Sequence, residues 1–246
     1  MGETAPVALV TGSARRIGAA IARRLHAAGY DLALHYRDSE SDAQALAAEL
    51  ETARAGSTFL LQADLAQFDR LPELVAKTLG HFGRLDALVN NASAFYPTAF
   101  GATTPAQWDA LFAVNARAPF FLAQAAASHL ASANGAIVNI ADIYAERPLH
   151  GHAVYAMSKA TLLHMTRALA LELAPQVRVN AVSPGAILWP EGGKDADAQA
   201  ALLARTPLGR IGTPQEIAEA ALWLLRDARY CTGQALHVDG GRMLDA

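Results

Sequence analysis

Short apolar runs closed by Gly, Asn or Asp alternate along this chain with longer segments whose apolar residues recur every three to four positions. The runs are Val7-Ala8-Leu9-Val10, Leu32-Ala33-Leu34, Phe59-Leu60-Leu61, Ala87-Leu88-Val89, Ala136-Ile137-Val138-Asn139-Ile140, Val177-Arg178-Val179 and Ala235-Leu236-His237-Val238. Runs this short and this apolar suit strands covered on both faces. Helix-period segments are expected near residues 16–28, 41–54, 70–81, 105–131, 153–174 and 214–226. Strand and helix thus alternate throughout, which predicts an α/β fold with a seven-stranded parallel sheet and helices on both faces. The first unit, Val7 to Tyr36, has the length of a βαβ unit, about 30 residues, whose crossover is right-handed. The sheet is then doubly wound. Ligands of such sheets sit at the carboxyl ends of the strands, so the chemistry is sought just after each strand.

Composition narrows this picture. With 246 residues, 52% apolar and 17% charged, and no low-complexity stretch, the chain is expected to be one domain over residues 1–246 that folds without metal or disulfide. Cys231 is the only cysteine, so no intramolecular disulfide forms; a buried, inert thiol is expected. Met1 to Pro6 has neither a basic nor an apolar signal region, and every apolar stretch is interrupted before the roughly 20 residues that span a bilayer. No membrane association and a cytoplasmic location are expected. The net charge of −3, with no cationic stripe, argues against nucleic acid.

Chemistry enters after the first strand, at Thr11-Gly12-Ser13-Ala14-Arg15-Arg16-Ile17-Gly18. This turn opens a helix whose free N–H groups favour an anion, and a pyrophosphate suits them. Gly12 allows the turn and Gly18 allows close packing, but Arg16 stands where a middle glycine is common. The second strand ends His35-Tyr36-Arg37, with no acid there to hold a ribose 2′-hydroxyl. A basic residue at that point favours a 2′-phosphate, held by Arg37, Arg16 and Ser39, and hence NADP(H). Asp38 weakens that argument. A plain tight turn and a solvated strand-end charge are the alternatives.

In Tyr155-Ala156-Met157-Ser158-Lys159, the i, i+4 spacing puts phenol and ammonium on one helix face. At about 5 Å and an effective dielectric of about 20, the cation is expected to lower the phenol pKa by some two units. Tyr155 then becomes a usable acid or base. The same spacing also arises by accident on amphipathic helices.

Taken together, the Thr-Gly-(x)5-Gly turn, Asn90-Asn91-Ala92, Asn115, the Tyr155 and Lys159 pair, and Pro184-Gly185 resemble the short-chain dehydrogenase/reductase family over nearly the whole chain. The resemblance implies a single-domain, doubly wound Rossmann fold and an NADP(H) site. That site would draw on Gly12, Ser13, Arg16, Ile17, Gly18, Tyr36, Arg37, Ser39, Asp64, Leu65, Asn91, Ala92, Tyr155, Lys159, Pro184, Gly185 and Ile187. It also implies that Lys159 holds the nicotinamide ribose, Tyr155 transfers the proton, and Asn115 supports a water relay to Lys159. The family commonly forms homodimers or homotetramers through helices that correspond to 105–131 and 153–174.

One departure is informative. Thirteen residues before Tyr155, where the family normally has a serine against the substrate carbonyl, this chain has Asp142. An ionised carboxylate would repel the charge that builds on a ketone oxygen. A C=N bond differs, because its nitrogen must gain a proton that a carboxyl with a raised pKa helps deliver. With Arg16, His35-Tyr36 and Ser93-Ala94-Phe95-Tyr96-Pro97, this pattern is similar to the pteridine reductases. It implies a pterin or folate site made by Arg16, Ser93, Phe95, Asp142, Tyr155, Leu188 and Trp189. Phe95 would stack on a flat ring, a use of an aromatic face that is physically sensible; covering the core is its alternative.

Ile187 to Lys194 is Gly- and Pro-rich and suits a mobile lid, within a substrate loop expected at about 185–210. His150-Gly151-His152 lacks a third ligand, so a solvated loop is expected rather than a metal site. His164 is expected to be packed or at an interface. Two rival functions remain: a carbonyl or ketoacyl reductase that tolerates Asp142, and a binding protein that senses NADP(H) without catalysis. The intact Tyr155, Lys159 and Asn115 argue against the latter.

Overall fold

The computed structural model describes residues 5–189 and 195–244. Pro190 to Lys194, the latter half of the expected lid, lie outside the described residues.

The strands are β1 (Val7–Val10), β2 (Asp31–Tyr36), β3 (Thr58–Gln62), β4 (Ala87–Asn90), β5 (Ala136–Ile140), β6 (Arg178–Pro184) and β7 (Ala235–Val238). They form one sheet in the order β3-β2-β1-β4-β5-β6-β7, with every neighbouring pair parallel. The chain moves outward from β1 to β3, then returns to place β4 on the other side of β1. The strand order therefore reverses between β1 and β4, which opens the crevice where such sheets bind ligands. Successive side chains of β1 face opposite ways. Ala8 and Val10 join an apolar cluster with α1 (Arg16–Ala27), α2 (Glu40–Ala53) and α8 (Pro214–Leu222). Val7 and Leu9 join a second with α3 (Arg70–Phe82), α5 (Ala118–Ser132) and the end of α6 (Ala153–Glu172). This is the three-layer, doubly wound arrangement expected from the alternation.

The structure corrects several boundaries. The single helix expected over 105–131 is α4 (Pro105–Phe112), a π-helical turn (Ala113–Arg117) and α5. Pro119 explains the break: it has no N–H to offer the carbonyl of Asn115, and its ring crowds that carbonyl, so the backbone widens there. The last helix ends at Leu222 and continues as a π turn, Trp223–Asp227, whose carbonyls at Leu224 and Leu225 accept from the Arg178 guanidinium. Strand β6 runs on to Pro184, which closes the strand rather than following it. Within the expected loop at 185–210 lies a helix, α7 (Ala196–Ala204), capped by Asp195. Among the described residues, no helix is long and apolar enough to cross a membrane.

Candidate functional site

A cleft of about 460 Å³ lies over the carboxyl ends of β1, β2 and β3. Its floor is the Gly12 to Gly18 turn. Gly12 has φ +61°, and a Cβ on Gly18 would stand 2.1 Å from the Gly12 carbonyl oxygen, so both positions require glycine. Asn91 clamps the turn from β4, its Nδ2 donating to the carbonyls of Thr11 and Gly12 at 2.9 Å each. The start of α1 has no side-chain cap and no acid in its first turn, which leaves its N–H groups and dipole open to an anion. The residues present thus fit a dinucleotide pyrophosphate. Arg16 has φ +53°, a left-handed conformation that a non-glycine residue holds at a cost of about 1 kcal/mol. This explains why glycine is common at that position.

At the far end of the cleft lie Tyr36, Arg37, Asp38, Ser39, Asp64 and Leu65. Arg37 Nε donates to Asp38 Oδ2 at 2.5 Å, with both side chains largely exposed. The cation expected to hold a phosphate is therefore met by a neighbouring carboxylate.

Beyond β4, a second group of side chains surrounds the amino end of α6. Tyr155 is 3% exposed, and its hydroxyl donates to Asp142 Oδ2 at 2.6 Å. Asp142 Oδ1 accepts from Tyr144 N at 2.9 Å, capping a single 3₁₀ turn, Ile143–Ala145, after β5. Lys159 is fully enclosed; its Nζ donates to the Ile140 carbonyl at 2.8 Å and lies 6.0 Å from the Tyr155 ring centre. Asn115, in the π turn, accepts at Oδ1 from Ala94 N and Ser93 Oγ and donates from Nδ2 to Ala94 O and Ser158 Oγ. It ties the loop after β4 to α6.

The electrostatics reverse one expectation. Burial, followed by the Asp142 charge, holds the Tyr155 phenol well above its ordinary pKa, where the neighbouring ammonium was expected to lower it. The carboxylate is in hydrogen-bond contact with the phenol and the ammonium is several ångströms away; Coulomb energy falls with distance, so the nearer charge wins. Burial also raises the Asp142 carboxyl, against the opposing effects of Tyr144 N–H, Tyr155 and Lys159. The two groups are coupled: the Asp142 charge pushes the phenol up, while the phenol O–H holds the carboxyl down against its burial. Burial lowers Lys159 to about 8, against the pull of Asp142.

A family of Enoyl-(Acyl carrier protein) reductases matches residues 12–242. Pteridine reductase 1 of Leishmania tarentolae is 38% identical over 282 residues, covering 98% of this chain and 97% of that protein. This chain is a short-chain dehydrogenase/reductase. A putative ketoacyl reductase 2 of the granaticin polyketide synthase of Streptomyces violaceoruber is 41% identical over 247 residues, covering 98% and 97%. A 3-oxoacyl-[acyl-carrier-protein] reductase of Staphylococcus aureus strain Mu50 is 34% identical over 238 residues, covering 95% and 96%. Members of this family are oxidoreductases that use NAD(P)H.

Within this short-chain dehydrogenase/reductase, most residues singled out from the sequence converge. Gly12, Arg16, Ile17, Gly18, Tyr36, Arg37, Ser39, Asp64, Leu65, Asn91, Ala92 and Ser93 line the cleft. Asn115, Asp142, Tyr155 and Lys159 form the adjoining cluster. Phe95, 56% exposed, overhangs it edge-on to Tyr155, with ring centres 4.7 Å apart.

The remaining singled-out residues make contacts of their own within the protein. Ser13 is buried, its N–H and hydroxyl both donating to the His35 carbonyl, so it braces the turn. The Asn115 side chain is fully used in its clasp, so it holds the loop after β4 against α6. Ile187 points into the core, where a Cβ on Gly212 would meet its Cδ1 at 2.7 Å. Gly185 approaches β7, a Cβ there falling 2.6 Å from Asp239 Cα, so with Pro184 it is a close-packing position. Leu188 is exposed, and the Trp189 carbonyl accepts a long, 3.5 Å bond from Arg16 Nη2. His164 is exposed on α6, which excludes the first of its two expected placements, packed or at an interface, and leaves the second. Cys231 is half-buried against the core.

Three residues escaped the sequence reading. His152, half-buried in the turn before α6, stacks on Phe95, ring centres 4.8 Å apart at 15°. Arg15 lines the cleft beside Arg16. His35, in the sequence no more than one member of the His35-Tyr36 pattern, is 2% exposed at the cleft floor. A polar residue within an otherwise apolar strand was the available signal.

Proposed function

We propose that the chain reduces a C=N bond of a dihydropterin or dihydrofolate with hydride from NADPH. The observation that carries this reading is the Asp142 carboxyl in hydrogen-bond contact with the Tyr155 hydroxyl. Reduction of C=N adds hydride to carbon and a proton to nitrogen. A bound nicotinamide supplies the hydride. The Asp142 and Tyr155 pair, whose pKa values burial raises, delivers the proton, and Lys159 faces the negative charge the pair is left with. Phe95, stacked on His152 over one face and more than half exposed, supplies an aromatic surface beside the Tyr155 ring, suited to a flat heterocycle. Ser93 and Arg16, which both line the cleft, would serve as polar partners. Arg16, Arg37 and Ser39 would hold the 2′-phosphate, and Lys159 the nicotinamide ribose. Such chemistry suits a cytoplasmic enzyme, assembled through α4, α5 and α6 as a dimer or tetramer. The similarity to Pteridine reductase 1 supports the substrate class.

The similarity to ketoacyl reductases, one at 41% identity, favours a second reading: carbonyl reduction with Tyr155 as sole proton donor and Asp142 tolerated. Loss of reduced-nicotinamide absorbance separates the two. Rapid NADPH oxidation with dihydrobiopterin or dihydrofolate, and little with a panel of ketones and ketoacyl thioesters, is the expected result. Turnover of the ketones with silence toward the pterins would overturn the substrate assignment.

A further inference from the structure

We infer that His35 is a positioning residue for the dinucleotide turn, setting nucleotide affinity through a single bond to the Gly12 amide. The inference rests on the NAD(P)H part of the reading above and is independent of the substrate.

Gly12 N–H donates to His35 Nδ1 at 3.1 Å. On the other side of the ring, Nε2 lies 3.1 Å from the Ala63 carbonyl. An amide N–H can only donate and a carbonyl can only accept, so the ring is held as the neutral tautomer with its proton on Nε2. The His35 carbonyl meanwhile accepts both the N–H and the hydroxyl of Ser13. One residue of β2 therefore grips two consecutive residues of the turn after β1 and reaches the segment after β3. Gly12 is also the residue whose left-handed φ turns the chain into α1, so its amide direction sets where the helix N-terminus points. Asn91 secures the turn only through its carbonyls, which leaves the Gly12 amide to His35. Burial lowers the His35 pKa to about 4, so the ring stays neutral and the grip stays closed at ordinary pH. An imidazolium could not accept from Gly12.

The two ring bonds can be separated by substitution. In His35→Asn the side-chain oxygen falls near the place of Nδ1 and can accept from Gly12. In His35→Gln the polar end reaches toward Ala63 instead, and His35→Leu retains neither bond. Binding of NADPH and of NADH to the purified protein, read by calorimetry without substrate, is the measurement, with amide hydrogen exchange at Gly12 followed by NMR. His35→Leu and His35→Gln are expected to weaken both nucleotides at least ~10-fold and speed Gly12 exchange, while His35→Asn stays within about threefold of wild type. In turnover assays the nucleotide KM should rise by the same factor and kcat fall by less. Should His35→Leu not fold, the Asn and Gln comparison stands alone. Equal affinities in those two variants, or unchanged affinity in His35→Leu, overturn the role of His35. A wild-type protein that binds neither nucleotide overturns the NAD(P)H reading itself, and the inference with it.

Discussion

The Tyr155 hydroxyl and the Asp142 carboxylate meet at 2.6 Å, joining the first turn of α6 to the loop after β5. Replacing this carboxyl tests how the proton is supplied. Asp142→Ser is expected to cut dihydropterin reduction by ~10²-fold or more, the range for loss of a positioned acid, while nucleotide binding persists. Because burial raises the carboxyl pKa, wild-type kcat should fall as pH rises through the pair's titration. Asp142→Asn should flatten that limb. Higher ketone turnover in Asp142→Ser, with pterin rates unchanged, would favour the carbonyl reductase reading.

Lys159 carries a stability cost that pH exposes. Its folded pKa, about 8, is below its ordinary 10.5, so between these values the unfolded chain binds more protons than the folded one. Stability then rises with pH across that window, and the cost of burying the cation is fully present below it. Lys159→Met has no such group. Urea unfolding at pH 7 to 10 should show the variant's stability relative to wild type declining as pH rises, with its activity lost throughout. A difference independent of pH would contradict the buried cation.

Asp38 should set the preference between nucleotides. Its carboxylate pairs with Arg37 and would also repel a 2′-phosphate. Asp38→Ser frees the guanidinium for a charge-assisted bond, worth about 1.5–3 kcal/mol. The ratio of kcat/KM for NADPH over NADH is expected to rise ~10-fold. Arg37→Ala should lower it. A ratio insensitive to both changes would place phosphate recognition elsewhere, with Arg15 and Arg16 the next residues to test.

Gly18→Ala should destroy the cleft floor. The added methyl would stand 2.1 Å from the Gly12 oxygen and 2.6 Å from Asn91 Nδ2, and backbone lies too close to yield. A loss of about 1–3 kcal/mol in unfolding free energy is expected, together with loss of nucleotide binding in calorimetry. Normal binding by a folded Gly18→Ala protein would show that the turn relaxes.

The architecture was legible because it depends on local pattern. Apolar runs of four or five residues alternating with helix-period segments admit little except a parallel sheet covered on both faces. Gly12, Gly18, Tyr155 and Lys159 stood out because backbone geometry or helix periodicity requires those residue types at those spacings. Asp142 stood out only against a family resemblance, which marked it as a departure.

Tertiary structure decided what those residues feel. Tyr155 and Lys159 share a helix face, as the spacing requires, yet the phenol answers to Asp142, which approaches from another loop at shorter range. His35 and His152 looked unremarkable because their partners, Gly12 and Ala63 for one and Phe95 for the other, are distant in sequence. The break at Asn115 was written locally in Pro119, but the clasp it makes with Ser93, Ala94 and Ser158 joins three separate segments. Sequence by itself determined the elements and the residue types at the strand ends, since these follow from periodicity and backbone sterics. Only the folded chain decided burial and distance, and it is through burial and distance that charge acts.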